Sequence, residues 1–177
     1  MKHILRVITV ALFAATVMAQ SKPDFSGRWT IEPEATTTAP AGGPPPARAG
    51  DMGSGWGTNP TMTQTADRLT VEYVFFARGD MQPPLKFVYA LDGTVMKNSV
   101  MLGRGIQVQT SKTTWEGDKL IISTTHSFEN PANGQPTKSE VKQTLTLASP
   151  TQLIVETTRS GVLGGPTTMT RTIYKKN

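Results

Sequence analysis

Leu69-Thr70-Val71-Glu72-Tyr73-Val74, Leu120-Ile121-Ile122-Ser123-Thr124-Thr125 and Leu153-Ile154-Val155-Glu156-Thr157-Thr158 are near copies of one pattern. Each follows a polar turn and then runs through β-branched residues and threonines. Residues 60 to 175 repeat this beat, divided by Gly, Asp, Asn and Pro, and no stretch of them carries a helical period. The spacing predicts strands near 25–31, 60–66, 68–76, 85–91, 93–102, 105–115, 119–128, 137–148, 152–159 and 167–175. Asp92-Gly93 and Glu116-Gly117-Asp118 suit tight hairpins, and Asn133-Gly134 a longer one. The fold class is therefore all-β, an antiparallel meander. A meander of this length hides its edges by closing, so a barrel of about 8–10 strands is expected, wide enough for one small ligand.

Alternation sorts side chains between the two faces. Leu85, Phe87, Tyr89 and Leu91 share one face of their strand. Val141, Gln143, Leu145 and Leu147 share one face of theirs. His126 falls with Leu120, Ile122, Thr124 and Phe128. Leu69, Val71, Tyr73, Phe87, Tyr89, Ile122, Leu145 and Val155 are expected to point inward as core or cavity lining.

The first nineteen residues read as an address. Lys2 and Arg6 make a positive start, Val7 to Val17 is an apolar run, and Val17-Met18-Ala19 offers a cleavage site before Gln20. The run is shorter than the about 20 residues a membrane span needs. The expectation is a periplasmic or secreted protein without a stable membrane anchor. Removing nineteen of 177 residues leaves 158, enough for a single domain at 20–177. The chain has no Cys, so its core must suffice without disulfides.

Within that domain, residues 32–59 are dense in Pro and Gly, with Pro44-Pro45-Pro46 at their centre and Met52 and Trp56 their large apolar residues. Such composition predicts a mobile loop, either a functional lid or a disordered segment, with Met52 and Trp56 docking over a cavity mouth in the one case and loosely tethered at the surface in the other. The formal charge of +5 falls to +3 once Lys2 and Arg6 leave. The remaining charges are scattered, with no basic stripe interleaved with aromatics, so no nucleic-acid partner is expected. A monomer is expected.

Candidate chemistry is sparse. His3 leaves with the leader, so His126 is the one imidazole of the domain. Three nitrogen or sulfur ligands for zinc cannot be assembled, and no metal or cofactor is expected. There is no Gly-x-Ser-x-Gly elbow. Gly103-Arg104-Gly105 and Gly161-Val162-Leu163-Gly164-Gly165-Pro166 sit between strands with no helix following, which makes them hairpin loops rather than phosphate cradles. No residue is assigned a catalytic role.

Gly27-Arg28-Trp29 at the start of the first strand resembles the lipocalin and calycin signature. In those barrels a Gly-x-Trp opens the first strand and a basic residue on the last strand packs over the Trp. Arg171 is the residue that the resemblance places there, giving Gly27, Trp29 and Arg171 as the structural signature. The end of the chain also resembles the fatty-acid-binding barrels, whose Arg-x-Tyr grips a carboxylate. Here Arg171 and Tyr174 are three apart and face opposite ways, so that role is not carried over. The resemblance implies an exported binding protein that takes a small apolar molecule at Tyr73, Phe87, Tyr89, Ile122 and His126. Two alternatives stand beside it. One is a barrel enzyme such as an isomerase or cyclase, or a haem-binding barrel, using His126. The other is a packed envelope protein with no cavity.

Overall fold

The computed structural model describes residues 22–32, 37–39, 54–74, 84–102, 105–129, 134–160 and 167–177. The leader expected at 1–19, and much of the loop expected at 32–59, lie outside them. The described residues form eleven strands: β1 (Gly27–Ile31), β2 (Thr37–Ala39), β3 (Thr61–Gln64), β4 (Arg68–Tyr73), β5 (Leu85–Ala90), β6 (Met96–Leu102), β7 (Gly105–Glu116), β8 (Lys119–Glu129), β9 (Pro136–Ser149), β10 (Gln152–Arg159) and β11 (Thr168–Lys176). Every strand expected from the sequence is present, with ends displaced by three residues at most. Thr37–Ala39 is an addition that composition concealed, because it lies within the Pro/Gly-rich stretch.

All pairings are antiparallel, and the order around the sheet is β5-β4-β3-β1-β11-β10-β9-β8-β7-β6. β11 completes the circuit by pairing with β1 through Trp29↔Lys176, Thr30↔Lys175 and Ile31↔Tyr174. Lower on the same edge it pairs with β2 through Met169, Thr170 and Arg171. The hairpin turns follow their residues: Asp92 Oδ1 accepts the Thr94 N–H at 2.8 Å, while Gly93 takes a φ of 85° that a side chain would strain.

The circuit closes between β5 and β6 without a backbone ladder among the described residues. Side chains sew this seam instead. The carboxamide of Asn98 accepts the Val88 N–H at 2.8 Å and donates to the Val88 carbonyl at 3.0 Å. The Thr113 hydroxyl donates to the Ala90 carbonyl, and the Trp115 indole N–H donates to the Leu91 carbonyl at 3.2 Å. The result is a nearly closed barrel compatible with the calycin architecture.

Inward residues of neighbouring strands fall into rows, and the rows change character along the barrel. At one end, Leu120, Leu145, Val155, Leu153, Tyr174, Leu69, Val71, Met62, Trp29 and Phe25 are fully or almost fully buried and pack as one cluster. A buried Leu or Ile of such a cluster stabilises by about 2–5 kcal/mol relative to Ala. The segment before β1 seals that end. Phe25 stacks on Trp115 at 6.1 Å, its carbonyl accepts the Trp29 indole N–H at 3.0 Å, and its own N–H is held by Gln64 Oε1 at 3.0 Å.

Trp29 does carry a cation, but it is Lys176 rather than the expected Arg171. Lys176 Nζ lies 5.4 Å from the Trp29 ring centroid. Arg171 stands five residues earlier, opposite Glu156 and Thr37, on the outward set of β11. The strand continues past the residues on which the resemblance relied, and it is the register that selects the cation.

Candidate functional site

Above the packed end, the rows become polar. Ser111 pairs with Thr124, Thr124 with Val141, and Val141 with Arg159. One row further from the sealed end, Gln109 pairs with His126 and His126 with Ser139. Small and polar side chains at these levels do not fill the barrel, and a cavity of about 390 Å³ remains. Its wall includes Tyr73, Phe87, Tyr89, Gln107, Gln109, Thr124, His126, Phe128, Ser139, Val141, Gln143 and Arg159, together with Ser54, Gly55 and Trp56. A volume within about 300–1,000 Å³ suits one small molecule.

Four of the five residues expected to meet a ligand converge here: Tyr73, Phe87, Tyr89 and His126. The fifth, Ile122, does not. It lies one row nearer the sealed end, between Thr113 and Gln143, fully buried beneath Thr124. Alternation assigns a face but not a depth along the barrel, so it places Ile122 on the right face without fixing its level.

The aromatic wall comes from β4 and β5. Tyr73 and Phe87 stack at 5.7 Å with an interplanar angle of 11°. Tyr89 meets Trp56 at 6.3 Å. Burial raises the Tyr73 phenol to about 12, partly offset by the nearby charge of Arg159. It raises Tyr89 too, so both hydroxyls are protonated donors at neutral pH.

Of the two readings that the sequence leaves for Trp56, the turn at Ser54 to Gly57 takes the docked one, though composition does not foretell its ordered geometry. Although it belongs to the Pro/Gly-rich stretch, this turn enters the barrel, and Trp56 is 2% exposed. A relay of hydrogen bonds holds it. The Tyr174 hydroxyl donates to the Gly57 carbonyl at 2.8 Å and meets Ser54 Oγ at 2.6 Å. With its proton committed to Gly57, Tyr174 must accept from Ser54, whose oxygen in turn accepts the Trp56 N–H at 3.2 Å. The Gln143 amide donates to the Ser54 carbonyl, and the Trp56 indole N–H reaches the Tyr89 hydroxyl at 3.4 Å. Gly55 suits this turn because its φ is 92°, a conformation that any side chain would strain. The clue in the sequence was a Trp set among glycines.

His126 is half-buried, and its imidazole is held below its ordinary value, first by burial and then by the positive charge of Arg159. It is therefore neutral at pH 7, with one nitrogen to donate and one to accept. Among the described residues, the cavity wall holds no carboxylate that could orient the ring. No three His, Cys, Asp or Glu come together there as metal ligands either.

Comparison with family models, with curated proteins and with solved structures finds no match to the chain.

Proposed function

We propose that this protein is an exported carrier that holds one small, largely apolar molecule inside its barrel. The supporting observation is the contrast between the two halves of the interior. One half is closed by packed Leu, Val and aromatic side chains, whereas the other keeps a cavity of about 390 Å³ walled by Tyr73, Phe87, Tyr89 and Trp56. A barrel serving only as a packed envelope component has no reason to leave that volume unfilled, since each unfilled void costs contact energy. The N-terminal pattern of Lys2, Arg6 and the run to Val17 supports export.

The test is native mass spectrometry of the protein purified from the periplasm or medium of its own host. One adduct per chain is expected, absent from a Ser139→Phe variant that fills the cavity. Bare protein that also gives no thermal shift with a library of small apolar compounds would overturn the carrier reading. Were haem the molecule held, the neutral imidazole of His126 on the cavity wall would be the residue to bind its iron. A Soret band that His126→Gln abolishes would replace the carrier reading with a haem-binding one.

A further inference from the structure

The cavity has two unlike sides. Tyr73, Phe87 and Tyr89 of β4 and β5 give one side the flat, apolar surface on which an aromatic ring packs edge-on or offset. β7, β8 and β9 give the other side a polar row, Gln109–His126–Ser139, aligned across three strands. Gln109 and Ser139 are each only 6% exposed. No hydrogen bond joins either side chain to another described residue, and their polar atoms open onto the cavity, where water or a ligand reaches them. An amide in that position is costly unless something satisfies it, and what it offers is specific: one carbonyl acceptor and one N–H₂ donor side by side.

We infer that the cavity selects a planar aromatic molecule whose edge carries an adjacent hydrogen-bond donor and acceptor, a cyclic amide or its equivalent, paired with the carboxamide of Gln109. The ring lies against the Tyr73–Phe87–Tyr89 side, and its polar edge meets Gln109, with His126 and Ser139 beside it as further partners. This inference rests on the carrier reading and narrows it. A purely aliphatic ligand would leave the Gln109 amide buried and unpaired, and sites built to hydrogen-bond a ligand discriminate against analogues that cannot.

The test is isothermal titration of the mature protein with three probes: 2-quinolone, N-methyl-2-quinolone and 1-decanol. 2-Quinolone presents an N–H beside a C=O, while its N-methyl analogue keeps the ring and loses the donor. The expected result is one 2-quinolone per chain, bound about tenfold more tightly than the N-methyl analogue, as loss of one or two neutral hydrogen bonds implies. Gln109→Met should erase that preference while leaving the circular dichroism spectrum unchanged. Should that variant not fold, Gln109→Asn withdraws the amide by one methylene and must narrow the preference in the same way. Equal binding of the two quinolones, or binding of 1-decanol alone, overturns the inference and leaves the carrier reading standing. Binding of none of the three overturns it too, and the carrier reading is then judged separately by the adduct seen in native mass spectrometry.

Discussion

Asn98 pairs with Val88 as a second strand would, although only Val88 contributes its backbone. The carboxamide supplies the acceptor at 2.8 Å and the donor at 3.0 Å that a ladder residue would have supplied. β5 and β6 are consecutive in the chain, yet their closure depends on this side chain and on Thr113 and Trp115 behind it. Asn98→Ala leaves both Val88 groups without a partner at a site where Asn98 itself is buried. The expected cost is about 1–3 kcal/mol in urea unfolding. Asn98→Ala with wild-type stability would show that the seam is held elsewhere.

Tyr174→Phe removes one hydroxyl that serves two partners, Ser54 and Gly57. The ring still packs in the core, so the loss is confined to the relay that holds the Ser54–Gly57 turn. A destabilisation of about 1–3 kcal/mol is expected, together with a red shift of Trp56 emission as that indole gains access to water. Unchanged emission would mean that Trp56 is held in place without Tyr174.

The Trp29 cation can be identified by double-mutant cycles. Lys176→Ala combined with Trp29→Phe should show a coupling of about 0.5–1 kcal/mol, given the 5.4 Å approach. Arg171→Ala combined with Trp29→Phe should be additive, because Arg171 faces away opposite Glu156. Coupling to Arg171 instead would require a different register between β1 and β11.

His126 sets a pH dependence with a definite sign. Its folded pKa lies below the unfolded value of 6.5, because burial and Arg159 of β10 both disfavour the imidazolium. The unfolded chain therefore binds the proton more readily, and stability is retained above pH 6.5 and lost as pH falls through the folded pKa. Its ladder neighbours Gln109 and Ser139 are uncharged, so Arg159 is the charge that matters. The melting temperature should fall on acidification below pH 6.5, and His126→Gln should flatten that fall. Parallel curves for the two proteins would place the proton uptake on other groups.

Much of this architecture was legible because a period of two is hard to disguise. Thr, Val and Ile alternating between Gly and Asp turns gave the strands, and the same alternation put Tyr73, Phe87, Tyr89 and His126 on one interior. Three things escaped it. Ile122 has the right face but the wrong depth, which depends on strand stagger. Gln107, Gln109, Ser111 and Thr113 form an inward set that reads as an outward one, because polar residues usually mark the wet side of a sheet. Trp56 sits in a stretch whose composition signals disorder, and only the three-dimensional arrangement of Tyr174, Gln143 and Tyr89 shows what holds it.

The seal around Phe25 also fixes where Lys22 and Asn177 lie. Lys22 rests over the Trp115 ring at 5.0 Å, and the Asn177 N–H donates to the Arg28 carbonyl at 2.9 Å, so both reach the same pole, away from the cavity. A short Gly-Ser bridge from Asn177 to Lys22, replacing residues 1–21, would yield a circular permutant with its pocket untouched. Immobilising the protein through Asn177 on a sensor chip should likewise present every cavity to the flow.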